Sequence, residues 1–445
     1  MRLHRMSSCG LVMLLALSCS GTPEGTISIV TGEETDVFTR APAAVALVTE
    51  KIATDGTRTE IARAELPVDT VKLGDQQRTD VGALAIAGLD ATGATVVRGE
   101  TLFVQWGALQ DATLEVFVQR TGELARMPRG PAAFDPTAAT MIAGRYVLAA
   151  NGTATMIYDL LALKPLASSP VLPRPAKSLA SVGTAVLVID DEGATTFDLS
   201  DGSSYTLEPP TGGTFREIAG GSRVEAPDGT QYIVGATRLT GGPTARVFVI
   251  DPEGKGSFAG LTAPREGACA TFVEGRGLVV IGEEIVILVF VGRLGLVVIG
   301  GDQAAAGAEV LAPGASLATP LPFPADPVKG CGATTLDPGH VAVAGGSAES
   351  APVRVLDLAC TTGCAPAAWP DTVPLVRAEA LTIAADAAFI LGDDASGATH
   401  AYRASATGTR EIPLRVPRRG ARLLPTATGA FTVIGGAAGI EQYLD

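Results

Sequence analysis

An apolar strand ending on small or acidic residues recurs seven times along the C-terminal two thirds of this chain. The copies are Tyr146–Asn151, Ala185–Asp190, Gln231–Gly235, Leu296–Gly300, Val341–Gly345, Ala388–Gly392 and Phe431–Gly435. Their ends lie 39, 45, 65, 45, 47 and 43 residues apart. The single outlier has a local cause: Gly277–Gly282 is repeated letter for letter as Gly295–Gly300, 18 residues on, and without that insertion the 65-residue gap becomes 47. A second strand follows each copy, as in Ala154–Asp159, Pro352–Asp357 and Gly439–Tyr443. Another precedes it, often led by a basic residue such as Arg265, Lys329, Arg377 or Arg419. Units of this length with about four strands expose two apolar sheet faces and cannot bury them alone. Stacking the units around an axis buries both faces and leaves only short edges.

The double glycine after the core strand, intact at Gly300-Gly301, Gly345-Gly346 and Gly435-Gly436, and the following Ala-x-Val-x-Leu type of strand resemble kelch repeats. Galactose-oxidase-type propellers share that pattern. The resemblance covers roughly residues 112–445, and the tryptophan usual near the end of a unit is kept only as Trp369. It implies an all-β, seven-bladed kelch-like β-propeller, or a six-bladed one if a weak unit is a loop. The last unit reaches Asp445 after three strands, so a closing strand must come from elsewhere. Thr113–Gln119, just ahead of the first repeat, is expected to supply it.

Residues 26–110 alternate apolar and polar positions in short runs, among them Thr26–Val30, Ala44–Glu50, Glu60–Leu66, Gly82–Ala87 and Thr101–Trp106. Turn signals such as Asp55-Gly56 separate them. About six strands in this span suit a small immunoglobulin-like β-sandwich, although the Cys…Trp…Cys signature is absent. Ahead of it, Arg2 and Arg5 precede a short apolar run over Gly10–Leu17, the pattern of an export signal too short to span a bilayer. Leu15–Cys19 resembles a bacterial lipobox, which implies a signal over 1–18, a lipid on Cys19 and a tether over 19–25. Ser20 after the cysteine, by the same resemblance, favours the outer membrane or cell surface; ordinary cleavage would instead release a periplasmic or secreted protein. Loss of the leader removes two arginines and takes the net charge from −14 to −16. Such acidity excludes the basic footprint of a nucleic-acid binder. Residues 285–301 form the most apolar window, but Arg293 within it and its β-branched content favour buried strands over a membrane span.

Four cysteines remain beyond the leader and Cys19, an even number suited to disulfides in an exported chain. Cys360 and Cys364 sit in one tight turn with Gly363 and are expected to pair. Cys269 and Cys331 occupy nearly equivalent places in neighbouring units but differ by one in register. That offset would point them to opposite faces, so two free buried thiols are expected, with an inter-unit bridge as the second reading. His340 and His400 lie beside strands of different units and form no ligand cluster, so the copper chemistry of galactose oxidases is not carried over. The acidic turns Asp190-Asp191-Glu192 and Asp393-Asp394 are expected to be solvated turn carboxylates rather than calcium ligands. No catalytic residue, metal site or cofactor is assigned, and no Gly-x-Ser-x-Gly, P-loop or His-Glu-x-x-His motif occurs. The reading is a non-enzymatic envelope lipoprotein whose propeller binds a protein or glycan and touches the membrane only through its lipid. The alternative is a propeller hydrolase or lyase acting on an extracellular polysaccharide.

Overall fold

The computed structural model describes residues 25–72, 79–109, 112–274, 278–280, 288–290, 296–299, 307–324, 328–347, 350–426 and 429–445. The export signal, Cys19 and most of the apolar window at 285–301 lie outside them. The chain is all-β. Among the described residues the strands form seven four-stranded antiparallel sheets in the repeat region and two larger-scale partners, a three-stranded and a six-stranded sheet, near the N-terminus. No helix among the described residues is long and apolar enough to cross a membrane.

Each four-stranded sheet is built in chain order, as alternating strands joined by short turns favour. The first strands are Ala138–Ile142, Ser178–Val182, Ser222–Glu225, Cys269–Phe272, Cys331–Asp337, Arg377–Ala384 and Arg422–Pro425. Each of them contacts the first strand of the next sheet, and Arg422–Pro425 contacts Ala138–Ile142, so the series closes on itself. The apolar strands read from the sequence are the second strands. They are buried on both faces, as in Ala387–Asp393, where every residue is buried. The core is therefore not one central mass. It is a set of wedges between neighbouring sheets: Ile142, Leu148 and Val188 between the first and second sheets, Ile189, Ile233 and Phe248 between the second and third, Trp369, Ile390 and Val353 between the fifth and sixth. A fully buried side chain of this size contributes about 1.5–3 kcal/mol relative to its exposed state. None of these faces is covered within a single sheet.

The closing strand is not the one expected. Thr113–Phe117 runs parallel to Thr26–Val30 in the three-stranded sheet, with Leu114 opposite Ile27 and Val116 opposite Ile29. Its Leu114 and Val116, with Val118, fill a separate core with Ile27, Leu84, Ile86 and Trp106. The seventh sheet is instead completed by Glu123–Arg126, which pairs antiparallel with Ile440–Leu444. The cause is apolar content. Three inward side chains anchor 113–118 between the N-terminal sheets, whereas Glu123–Arg126 offers only Leu124 and Ala125 and fits an outer position. The N-terminal strands otherwise follow the sequence reading, except near Trp106. There Thr95–Glu100 and Val104–Gln105 are the strands, and Trp106–Leu109 is a 3-10 turn.

In the fourth sheet, the second copy of the duplicated hexapeptide supplies the second strand. Leu296–Ile299 pairs with Cys269–Phe272 on one side and Ala308–Leu311 on the other. The first copy is outside that sheet: Leu278–Val280 pairs with Leu288–Phe290 as a two-stranded hairpin.

Candidate functional site

The first strands and the connectors leading into them carry a belt of polar contacts around the ring. Thr137 Oγ1 donates to Ala176 O (2.9 Å), linking the first sheet to the connector entering the second. Ser178 Oγ donates to Gly221 O (2.9 Å). Ala268 N donates to Ala236 O (2.9 Å). Thr271 and Thr335 hydroxyls meet at 3.1 Å, and Thr334 and Thr382 hydroxyls at 2.7 Å. Leu423 N donates to Glu379 Oε2 (2.7 Å), and Arg422 Nη2 reaches Thr137 O at 3.4 Å to return to the start. Small residues with hydroxyls are needed here, because the first strands approach one another closely and each brings backbone groups that must be satisfied.

The densest charge lies on the sixth and seventh first strands. Arg377 and Glu379 are two apart and so share a strand face. Arg377 Nε donates to Asp393 Oδ2 (2.6 Å), its Nη1 to Glu379 Oε1 (2.9 Å) and its Nη2 to Ala421 O (2.7 Å). Arg422 Nη1 donates to the same Glu379 oxygen at 3.0 Å. Burial would lower the Arg377 guanidinium, but Glu379 and Asp393 outweigh it and hold it above the ordinary arginine value. On the third sheet, Arg223 is more deeply placed, and burial pulls it below the ordinary value despite its pairing with Glu225. Arg223 Nε donates to Gln231 Oε1 (2.6 Å), whose oxygen also accepts from Ser181 N (3.1 Å). Two guanidinium groups and two carboxylates thus neutralise one another at Arg377, Arg422, Glu379 and Asp393. A carboxylate already accepting from two guanidinium groups and a backbone N–H is a poor proton acceptor. The belt is suited to rigid display more than to acid–base work. Sequence reasoning noted Arg377 as a leading basic residue but missed Glu379 and Arg422. The Arg-x-Glu spacing at the start of a first strand was the available signal.

The acidic turns hold their own backbones. Asp190 accepts from Glu192 N and Gly193 N, both at 2.9 Å, and from Arg174 Nη1 at 2.6 Å. Asp191 pairs with Lys177. Asp393 accepts from Thr399 Oγ1 (2.6 Å) besides Arg377. Asp394 accepts from Ser396 N, Ser396 Oγ and Ala398 N, and the Ser396 hydroxyl, with these turn amides, pulls its carboxyl down to about 2. The structure brings His400 between two carboxylates: Nδ1 lies 2.9 Å from Glu411 Oε1 and Nε2 3.4 Å from Asp394 Oδ2. Hydrogen bonding to Glu411 raises its pKa above the ordinary value. His340 sits apart, 2.9 Å from Asp337 Oδ2. The buried tyrosines are structural donors: Tyr158 Oη donates to Pro128 O (2.6 Å) and Tyr443 Oη to Asp445 Oδ1 (2.8 Å). Burial pushes both phenols up.

Both cysteine pairs are bonded, Cys360 to Cys364 and Cys269 to Cys331. The second bond corrects the expectation of free thiols. Cys269 and Cys331 begin adjacent first strands with their Cα atoms 5.3 Å apart. The one-residue offset is real within each sheet, where Cys269 faces Ile299 and Cys331 faces Gly345. The two strands belong to different sheets, however, so no shared pleat fixes their relative facing.

No protein-family model matches the chain, and no curated protein matches it. Among solved structures, a streptogramin B lyase is similar at 11% identity over 72% of this chain and 96% of that one, with a TM-score of 0.47. YCF48 bound to a D1 peptide is similar at 12% identity over 73% and 94%, with a TM-score of 0.43. The WD40 domain of Neurospora crassa Pan2 is similar at 9% over 71% and 90%, again at 0.43. At such scores and identities the likeness assigns neither family nor function.

Proposed function

We propose that the chain is an exported lipoprotein, anchored through Cys19, in which an N-terminal β-sandwich carries a seven-bladed kelch-like propeller that binds a protein or glycan partner without transforming it. Residues 1–18 are its signal, 19–25 its tether, and the repeat region to Asp445 its binding body. The observation that carries the binding reading is the belt on the first strands. Its acids and bases, Arg377, Asp393, Glu379 and Arg422, are consumed by one another, leaving a pre-organised polar rim of the kind that recognises a surface at little entropic cost. Two disulfides support an oxidising, extracytoplasmic setting. The acidic net charge of −14 argues against a nucleic-acid partner.

The fragment from residue 26 is immobilised and presented with glycan arrays and with purified envelope proteins, while the same polysaccharides are assayed for new reducing ends and unsaturated products. Saturable retention without turnover is expected. Turnover that disappears in Glu379→Gln would replace binding by catalysis. Anchoring is tested separately: cells expressing the full chain should incorporate labelled palmitate, and Cys19→Ser should abolish the label.

A further inference from the structure

The duplicated hexapeptide gives the fourth sheet two interchangeable second strands. We infer that Gly277–Gly282 and Gly295–Gly300 compete for one slot, so that this sheet has two native arrangements that differ in where the intervening segment leaves the ring. The slot has independent walls. On one side Cys269–Phe272 is tied by the Cys269–Cys331 bond to the next sheet. On the other, Ala308–Leu311 is held through the wholly buried Glu309, which accepts from Arg265 Nη2 (2.7 Å), Thr262 N (2.6 Å) and Thr262 Oγ1 (2.7 Å) on the preceding sheet. Neither wall depends on which copy lies between them.

In the arrangement described above, Leu296–Ile299 fills the slot with Cys269 opposite Ile299 and Phe272 opposite Leu296. The other copy would place Leu278, Val279, Val280 and Ile281 against the same partners, residue for residue, because the two sequences are identical. Side-chain contacts in the slot would be unchanged. What changes is the pair of connections. In the six other sheets, first and second strands are joined by two to five residues. In the fourth sheet that connection is 23 residues long, and the connection from second to third strand is 8. With the first copy in place, the connections become 5 and 26 residues, the former within the range of the other sheets. Loop-closure free energy grows only with the logarithm of length, so exchanging one long connection for the other changes it little. The occupied alternative also keeps the hairpin Leu278–Val280 with Leu288–Phe290, which the exchange would dissolve.

The two connections leave an antiparallel sheet at opposite ends. The exchange therefore carries an apolar, β-prone segment from one face of the ring to the other. A ligand that bound either face differently would shift the balance by its differential affinity.

The test uses the fragment from residue 26 and the variants Val280→Asp, Val298→Asp and the double variant. Each single variant should unfold cooperatively within about 5 °C of the parent, since the undamaged copy fills the slot. The double variant should lose that transition. Position is read by adding Ala270→Cys and Val280→Cys to the Val298→Asp variant: peptide mapping should find a disulfide between residues 270 and 280. The inference is overturned if Val298→Asp is as damaging as the double variant, if the double variant is as stable as the parent, or if the folded Val298→Asp protein fails to form that bond.

Discussion

Two ion pairs with no exposure at either partner show what single residues contribute here. Arg418 Nε donates to Glu441 Oε1 at 2.9 Å, and both side chains are 0% exposed. Glu441 also accepts from Arg415 N and Val416 N, so the pair fixes the connector entering the seventh sheet to its third strand. Arg265 and Glu309 do the same for the fourth. Removing one partner of such a pair leaves a buried charge with poor compensation, so Arg418→Ala should cost about 3–5 kcal/mol in urea unfolding. Arg418→Met combined with Glu441→Gln should cost much less, because no charge is then left buried. A glycine is equally confined: Gly436 has φ +69, and a Cβ there would lie 2.2 Å from Arg419 O, so Gly436→Ala should destabilise through strain as well as contact. His400 adds a pH dependence. Its pKa is raised in the folded state by Glu411 and Asp394, so its contribution is fully present below its ordinary value of 6.5 and fades as pH rises through the elevated one. The difference in Tm between the parent and His400→Gln should therefore be larger at pH 5.5 than at pH 9. An equal difference at both would exclude the charged pairing.

At the scale of strands and cross-links, the two disulfides are expected to differ. The Cys269–Cys331 bond spans 62 residues and ties neighbouring sheets, while Cys360–Cys364 spans 4. By the chain-entropy account the first should contribute about 4 kcal/mol and the second about 2. Urea unfolding of Cys269→Ser/Cys331→Ser against Cys360→Ser/Cys364→Ser measures the contrast. The second strands were legible in the sequence because they are buried on both faces and so read as uninterrupted apolar runs, as in Val186–Ile189 and Val341–Ala344. The two copies of Gly-Leu-Val-Val-Ile-Gly were legible for the same reason, although nothing in their identical letters says which one enters the sheet. Glu123–Arg126 was not legible. Four residues with one large apolar side chain carry no strand signal of their own, and Thr113–Gln119 alternated better. The belt on the first strands was only half visible: Arg377 stood out, but that Glu379 joins it to Arg422 depends on two strands 40 residues apart meeting in space.

For the whole molecule, the N-terminal sheets do more than precede the ring, because they grip its closing strand. Arg40 Nη2 meets Glu123 Oε2 at 2.8 Å, and Arg126 Nε donates to Glu34 Oε1 at 3.0 Å. Gln119 Nε2 donates to both Glu123 O (3.0 Å) and Gln442 O (3.1 Å), bridging the closing strand and its partner. From the ring side, Arg415 Nη2 donates to Glu123 Oε2 at 2.6 Å. A short outer strand with little apolar content is thus held by charge from both bodies, and a shallow crevice lined by Leu102, Phe117, Met127 and Leu161 runs along the junction. The binding reading depends on this closure, since a ring that opens cannot present a rigid polar belt. Hydrogen–deuterium exchange on the fragment from residue 26 tests it most directly. The amides of 123–126 and 440–444 should be protected together and open together as denaturant is raised. Exchange of 123–126 at the rate of an exposed loop, with 431–444 still protected, would contradict the closed ring.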